Sequence, residues 1–174
     1  MKLLFHCCCG PCSIASVESL IAENIIPTLF WYNPNIHPLA EYESRHSALT
    51  KFSSDKKLSL ITINEYGQEL FTRSIGAETE KPGRCVICYR LRLEKTAVYA
   101  VEQGFDAFST SLLISPYQQN DTIRNIGEEL TARYGVTFLY RDFRPLFRKG
   151  QADARALGMY MQKYCGCIFS REER

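Results

Sequence analysis

The chain has 174 residues, with 21 lysines and arginines against 19 aspartates and glutamates, and 45% of its residues are hydrophobic. These values are typical of one domain, residues 1–174, with its own core, and they exclude disorder and low complexity. No apolar run reaches the roughly 18 residues of a membrane-spanning helix and no secretory signal pattern is present, so we expect a cytoplasmic protein without a membrane partner.

Five short runs rich in aromatic and β-branched residues alternate with segments of helical periodicity. The predicted strands are residues 2–5, 27–32, 58–63, 106–111 and 136–141, and the predicted helices are residues 13–23, 37–52, 89–103 and 119–134. Parallel neighbours in a sheet need helix-length connections, so this alternation predicts an α/β fold. We expect a single three-layer, Rossmann-like domain with a mainly parallel five-stranded sheet.

The C-terminal part, residues 141–174, fits the alternation less well. We predict a short helix near residues 151–157, followed by an irregular arm that carries the last two cysteines. Unusual residues follow four of the predicted strands. Because ligands of an open parallel sheet sit outside the carboxyl ends of its strands, we expect these segments to converge on one edge. They are residues 6–12, 33–38, 109–118 and 142–144.

The eight cysteines make up about 5% of the chain, below the roughly 8–10% of a disulfide-built scaffold. They are clustered, which in a reducing compartment indicates metal ligands or redox chemistry. Adjacent cysteines on a strand point to opposite faces, so they can share a centre only where the backbone turns. We expect Gly10 and Pro11 to supply that turn, and a helix beginning near Ser13 to stabilise the thiolates. The clusters are Cys7, Cys8, Cys9 and Cys12, then Cys85 and Cys88, then Cys165 and Cys167.

The pair Cys85 and Cys88 forms a CxxC motif just before a predicted helix. Alone it is compatible with half a zinc site, a thioredoxin-like pair or half an iron–sulfur site. Two cysteines of the first cluster would complete four thiolate ligands. A contiguous run at a ligand-binding edge favours an iron–sulfur cluster over structural zinc, which usually draws on two CxxC-like knuckles.

Cys165 and Cys167 form a CxC motif. A disulfide between them would close a very small, strained ring, and strained disulfides are labile and oxidising, which suits catalysis better than structure. The alternatives are two further metal ligands or two idle thiols.

Six ordered motifs, spread from residue 6 to about residue 170, resemble the cobalamin-independent epoxyqueuosine reductases of the QueH type. The resemblance implies a fold related to the pyrophosphatase-type, HUP-like nucleotide-binding domains. Cysteines occupy the loop in which those domains carry a phosphate cradle, so we expect no ATP binding. The motifs are His6-x-Cys8-Cys9-x-Pro11-Cys12, Tyr32 to Pro38 followed by Glu41, Tyr42 and Arg45, Arg84-Cys85-x-x-Cys88-Tyr89-x-x-Arg92, Ser115 to Gln118, Asp142 to Arg144, and Tyr164 to Cys167.

The resemblance also implies an activity and its site residues. The activity is the reduction of epoxyqueuosine to queuosine at the wobble position of tRNA, the final step of queuosine biosynthesis. It implies a [4Fe-4S] cluster held by Cys8, Cys9, Cys85 and Cys88, with Cys7 not a ligand. It further implies an adjacent metal ion, iron or zinc, for which Cys12 is the candidate ligand, and a redox-active disulfide of Cys165 and Cys167.

Removing an epoxide oxygen to leave an alkene takes two electrons and two protons, so we expect an external electron donor and a metal ion that polarises the oxygen. His37 and Tyr117 are the candidate proton donors and substrate contacts. Glu41 and Arg45, four residues apart on a predicted helix, form either a surface ion pair or a substrate contact. Two basic patches are candidate phosphate contacts: Arg84, Arg90, Arg92 and Lys95, and Arg141, Arg144, Arg148 and Lys149.

Two other classes of protein remain open. A non-catalytic nucleic-acid-binding module, stabilised by a metal ion on four cysteines, would leave Cys165 and Cys167 without a purpose. A thiol–disulfide oxidoreductase would use that pair and ignore the other six cysteines.

Overall fold

The computed structural model describes residues 1–173, in which five parallel strands form one sheet. The strand order is β3-β2-β1-β4-β5, and all four neighbouring pairs are parallel. The predicted α/β fold with a five-stranded sheet is confirmed. The order reverses at β1 and β4, which makes the carboxyl ends of these strands the expected ligand-binding edge. The strands are β1 (Leu3–His6), β2 (Thr28–Trp31), β3 (Leu60–Thr62), β4 (Ala107–Thr110) and β5 (Thr137–Phe138).

Helices cover the sheet in two groups. Helix α1 packs against α2 and α6, while α4 packs against α3, α5 and the strands β1 and β4. None of the helices within residues 1–173 has the length and apolarity needed to cross a membrane. The helices are α1 (Gly10–Ala22), α2 (Leu39–Asp55), α3 (Gln68–Ile75), α4 (Gly83–Glu102), α5 (Asn120–Tyr134), α6 (Phe147–Ala156) and α7 (Ile168–Glu172).

The core lies on both sides of the central strands. All four residues of β1 and of β4 are buried, and the largest buried apolar side chains include Trp31, Phe30 and Phe108. Each such side chain contributes about 1.5–3 kcal/mol by leaving water. This rigid centre fixes the positions of the loops at the carboxyl edge.

Several boundaries differ from the predicted ones. Helix α2 begins at Leu39 rather than at residue 37, because a residue before proline is restricted to extended backbone and His37 precedes Pro38. Gly10 and Pro11 form the first turn of α1, so the backbone turns at residues 7–9 instead. The CxxC motif lies inside the first two turns of α4 and not before the helix.

The C-terminal part is more helical than predicted. Helix α6 begins at Phe147, before the predicted residue 151, and the last residues form the short helix α7. Helix α3 was not predicted, because only Phe71 and Ile75 mark its buried side. The irregular segment between α6 and α7, residues 157–167, is called the arm below.

Candidate metal and redox site

The loop after β1 is fixed by the buried side chain of His6. Its Nε2 lies 3.2 Å from both the Tyr32 carbonyl oxygen and Asn33 Oδ1, and because both are acceptors Nε2 carries the hydrogen. Nδ1 therefore accepts from the Thr110 hydroxyl, at 2.9 Å. Burial lowers the pKa of His6 from 6.5 to about 4. A neutral imidazole thus ties β1 to the ends of β2 and β4.

Three thiols meet where this loop enters α1. The sulfurs of Cys8, Cys9 and Cys12 all lie within 4.8 Å of one another, and those of Cys8 and Cys9 are 3.8 Å apart. Cys9 caps the helix, since its Sγ accepts the Cys12 backbone N–H at 3.4 Å. Cys7 is turned away, because its thiol donates to the Phe5 carbonyl oxygen, and burial raises its pKa to about 12.

The three thiols favour one negative charge among them. The Cys12 and Cys9 thiols donate toward Cys8 and hold its pKa well below the ordinary value. Burial raises the pKa of Cys9, and the neighbouring Cys8 raises that of Cys12. The hydroxyl of Ser111, at the end of β4, also donates to Cys8 Sγ at 3.4 Å. Sulfur anions are the form that binds metals.

The second pair of cysteines lies at the start of α4. Cys85 and Cys88 are three residues apart on the helix, so their side chains point to the same side. One turn later, Arg92 is only 4% exposed and donates from Nη2 to Cys88 Sγ at 3.2 Å. Burial raises the pKa of Cys88 to about 11, and the Arg92 charge opposes that rise. Arg92 therefore faces a thiol, which corrects its assignment to a phosphate-binding patch.

Helix α2 holds the arm through a buried ion pair. Arg45 is 2% exposed and donates from Nε to Glu41 Oε1 at 2.7 Å. Its Nη2 and Nη1 donate to the carbonyl oxygens of Tyr164 at 2.9 Å and Cys165 at 3.1 Å. The Tyr160 hydroxyl donates to the other oxygen of Glu41. The pair is thus not a surface ion pair, and it anchors the CxC motif.

His37 is a second anchor for the arm. Its backbone N–H donates to the Gly166 carbonyl oxygen at 2.9 Å, and its Nδ1 accepts the Ile168 N–H at 3.3 Å. Nε2 donates to the Pro34 carbonyl oxygen at 2.9 Å. The residue is 1% exposed. Both ring nitrogens are engaged by backbone groups, which differs from the expected substrate contact.

The CxC motif places one exposed and one buried thiol side by side. The sulfurs of Cys165 and Cys167 are 3.9 Å apart, and neither forms a disulfide. Gly166 between them has a φ of 124°, a backbone conformation that favours glycine, and a Cβ there would make a tight contact of 3.2 Å with Arg45 Nη1.

The two thiols of this motif differ in acidity. The Cys167 thiol donates toward Cys165 and lowers the pKa of Cys165 to about 5, and Ser170 Oγ lies 2.9 Å from the same sulfur. Cys165 in turn raises the pKa of Cys167. Cys165 is also close enough for its charge to raise the pKa of Cys85, after the larger effect of burial.

A cavity of about 890 Å³ brings these segments together. It opens at the carboxyl edge of the sheet, as predicted. Its wall includes residues of α1, α4, α6, the arm and the loop after β4. The cysteines that line it are Cys8, Cys12, Cys85, Cys88, Cys165 and Cys167.

The predicted substrate contacts are divided between the cavity and the surface. Arg84 lines the cavity and forms an ion pair with Glu173 at 2.5 Å. Tyr117 lines its mouth and is 85% exposed. Arg144 is not among the lining residues, and it pairs with Asp142 at 2.6 Å.

Most of the predicted basic patches are paired with carboxylates. Arg90 pairs with Glu129 and Arg141 with Glu23. Lys149 pairs with Glu18 and Asp153. Apart from Lys149 with Asp153, which are four residues apart, these pairs join residues far apart in sequence, and counting charges locally does not detect them.

Gln162 is a site residue that the sequence did not reveal. It lies on the arm, and its Nε2 donates to Cys9 Sγ at 2.9 Å and to Cys12 Sγ at 3.3 Å. Its buried Oε1 has no hydrogen-bond partner within residues 1–173. A single glutamine in an irregular segment is not part of any sequence motif, so the sequence alone does not indicate its role.

The parallel sheet places the chain in the α/β class, and the thiols that line the cavity at its strand-order reversal are consistent with metal binding. The family model described as Epoxyqueuosine reductase QueH matches residues 3–173. The chain belongs to this family. Among its relatives, the Epoxyqueuosine reductase QueH of Dehalococcoides mccartyi is 38% identical over 99% of this chain and 94% of the relative. That of Thermotoga maritima is 36% identical over 99% and 91%.

Solved structures share the fold at low sequence identity. The U34-tRNA thiolase NcsA of Methanococcus maripaludis, solved with its [4Fe-4S] cluster, has a TM-score of 0.62 and 16% identity, covering 98% of this chain and 61% of that one. A predicted subunit of tRNA methyltransferase from Methanocaldococcus jannaschii has a TM-score of 0.59 and 11% identity, covering 89% and 75%.

Proposed function

We propose that the chain reduces epoxyqueuosine to queuosine at the wobble position of tRNA, in the cytoplasm, where thiols stay reduced. The observation that carries the proposal is the cavity lined by six cysteines from three distant segments, in a chain that belongs to the QueH family. Ligand-binding cavities commonly measure about 300–1,000 Å³, so the volume of about 890 Å³ suits one modified nucleoside.

The CxC pair matches the stoichiometry of the reaction. Epoxide deoxygenation consumes two electrons and two protons and releases water. Oxidation of the Cys165 and Cys167 thiols to a disulfide releases two electrons and two protons. Both cysteines line the cavity, where Cys165 is exposed and Cys167 is buried. We assign these two residues the redox role, with an external donor that reduces the disulfide again.

The donor set at the cavity fits a metal–sulfur centre. Thiolates are the ligands of iron–sulfur clusters, and two buried guanidinium groups, Arg45 and Arg92, lie close enough to compensate their charge. We assign the [4Fe-4S] ligands to Cys8, Cys9, Cys85 and Cys88, and a second metal ion, iron or zinc, to Cys12. Such a centre supplies electrons and a Lewis acid for the epoxide oxygen.

On this assignment the reaction is iron–sulfur dependent and needs no cobalamin. The chain's own residues have separate tasks. Arg92 and Gln162 donate hydrogen bonds to cysteine sulfurs, Arg45 and His37 position the CxC motif, and Tyr117 lies where the substrate would enter.

The decisive experiment incubates the anaerobically purified chain with tRNA that contains epoxyqueuosine and a chemical reductant, followed by mass spectrometry of the nucleosides. We expect conversion to queuosine without added cobalamin. Cys165→Ser and Cys167→Ser should abolish multiple turnover, whereas Cys7→Ala, which removes a thiol outside the cavity, should not.

Other outcomes would contradict the proposal. A colourless, zinc-containing protein that binds tRNA without converting it would indicate a non-catalytic nucleic-acid-binding module. Metal-free protein that reduces insulin disulfides but leaves epoxyqueuosine intact would indicate a thiol–disulfide oxidoreductase. Unchanged turnover in Cys165→Ser would remove the CxC pair from the reaction.

A further inference from the structure

The wall of the cavity carries a strong excess of positive charge. Among residues 1–173 it includes a single acidic residue, Glu173, which forms ion pairs with Lys81 at 3.0 Å and Arg84 at 2.5 Å. The basic residues on the wall are Arg45, Lys81, Arg84, Arg92, Arg148, Arg155 and Lys163. Besides the pairs with Glu173, Arg45 is paired with Glu41, and Arg92 is engaged by Cys88.

Besides Arg92, whose partner is a thiol, three basic side chains of the wall have no carboxylate partner among residues 1–173, namely Arg148, Arg155 and Lys163. All three are exposed at the cavity. Arg148 and Arg155 are seven residues apart on α6, which is two helical turns, so they share one side of the helix. The next residue, Lys149, lies outside the cavity wall and is held by Glu18 and Asp153. The unpaired charges thus belong to the side that faces the cavity.

An exposed aromatic ring lies beside these charges. Tyr117 is 85% exposed, and its ring contacts that of Phe147, the first residue of α6, with centroids 5.9 Å apart and nearly perpendicular planes. Phe147 precedes Arg148 and also lines the cavity. Large aromatic side chains that stay exposed at the mouth of a cavity offer a surface on which a base can stack.

We propose that Arg148, Arg155 and Lys163 bind the phosphates that flank the nucleotide in the cavity, and that Tyr117 stacks on a neighbouring base of the same RNA strand. A nucleotide that enters a cavity must leave its stack, which exposes the adjacent phosphates and base to the rim. The inference rests on the proposed function, because it assumes that RNA is the partner.

The test measures binding of a fluorescent anticodon stem-loop RNA with an unmodified wobble nucleotide, by anisotropy at several salt concentrations. Arg148→Ala, Arg155→Ala and Lys163→Ala should each weaken binding and lower the slope of log Kd against log salt by about one. Tyr117→Ala should weaken binding about tenfold without changing that slope, and Tyr117→Phe should bind like the wild type.

Lys149→Ala is the matched control, because it removes an exposed but paired charge from the same helix. The inference would be overturned if the variants of Arg148, Arg155, Lys163 and Tyr117 kept the affinity and salt slope of the wild type. It would also be overturned if Lys149→Ala weakened binding equally, or if the wild type did not bind the RNA. Binding needs no reduction step. If the wild-type protein binds this RNA but does not convert epoxyqueuosine, the proposed function is therefore wrong, while the proposed RNA contacts are still supported.

Discussion

Arg92 donates a hydrogen bond to the sulfur of Cys88 across one turn of α4, with both side chains buried. A buried guanidinium is costly without a polar partner, and here Arg92 donates to the Cys88 sulfur. The ordinary effect of burial is to keep the Cys88 thiol protonated, and Arg92 works against it. The arginine therefore favours the form of Cys88 that binds metal.

Arg92→Met should weaken metal binding about 10- to 100-fold, the usual effect of removing a hydrogen-bond donor to a ligand. The measurement is the iron retained by reconstituted protein in competition with a chelator. Arg90→Met is the control, because Arg90 lies on the same helix but is exposed and paired with Glu129. Identical chelator midpoints for Arg92→Met and the wild type would show that Arg92 does not support the centre.

Arg45→Met should destabilise the fold by about 3–5 kcal/mol, because it leaves the buried Glu41 carboxylate without its partner. It should also speed hydrogen exchange in the arm, whose Tyr164 and Cys165 carbonyl oxygens lose their donors. Urea unfolding and exchange mass spectrometry measure the two effects.

Lys51→Met is the matched control for Arg45→Met. It breaks an exposed pair with Asp55 at the same spacing on α2, and such pairs contribute about 0.3–0.5 kcal/mol. If both variants lost the same stability, or if exchange in the arm stayed slow in Arg45→Met, the anchoring role of Arg45 would be wrong.

Alkylation of Cys165 should show an unusually acidic profile. Its pKa is lowered to about 5, so the reactive thiolate predominates at pH 7, and the rate with iodoacetamide should fall only as the pH drops through about 5. Cys167→Ala removes the thiol that donates toward Cys165, and should move the midpoint up toward the ordinary value of 9. Peptide mass spectrometry identifies the alkylated cysteine. Cys165→Ser is the control, because it lacks the thiol that should react. A wild-type midpoint near 9 would contradict this.

His6 should make stability depend on pH in the acidic range. Its pKa is about 4 in the folded chain against 6.5 ordinarily, so the unfolded chain binds the proton more readily. Above pH 6.5 the ring is neutral in both states and the contribution of His6 to the free energy of unfolding is complete. This free energy decreases by about 3 kcal/mol as the pH falls from 6.5 to 4.

The measurement for His6 is the free energy of unfolding in urea between about pH 4 and pH 8. His6→Gln should lose this component of the pH dependence, whatever its stability at neutral pH. His46→Asn, which alters a partly buried histidine outside the cavity wall, should keep it. Parallel curves for the wild type and His6→Gln would refute the prediction.

The sheet was predictable because each strand has a local signature of aromatic and β-branched residues, and the carboxyl-edge loops follow from strand direction alone. The cysteines were predictable by residue type and clustering. Their surroundings were not. Arginines are rarely buried, so Arg92 in a basic stretch was interpreted as an exposed phosphate contact. Its i, i+4 spacing from Cys88 was the available signal.

Contacts across long sequence separations account for the remaining differences. His37 forms hydrogen bonds with Gly166 and Ile168, which lie about 130 residues later in the chain. No local sequence pattern predicts such long-range contacts. The three-thiol group, by contrast, could have been anticipated more fully, since Cys12 lies one helical turn after Cys9 and the two sulfurs are brought together by the helix cap.

The amino end of α1 attracts any compact anion, and in other folds with this strand order the first such helix end receives a phosphate. Here the Cys9 sulfur occupies the cap, so the hydrogen-bond acceptor at this helix end is part of the polypeptide. A helix end of the kind that can receive a visiting phosphate thus holds a resident sulfur, and the side chains of one short loop decide between the two.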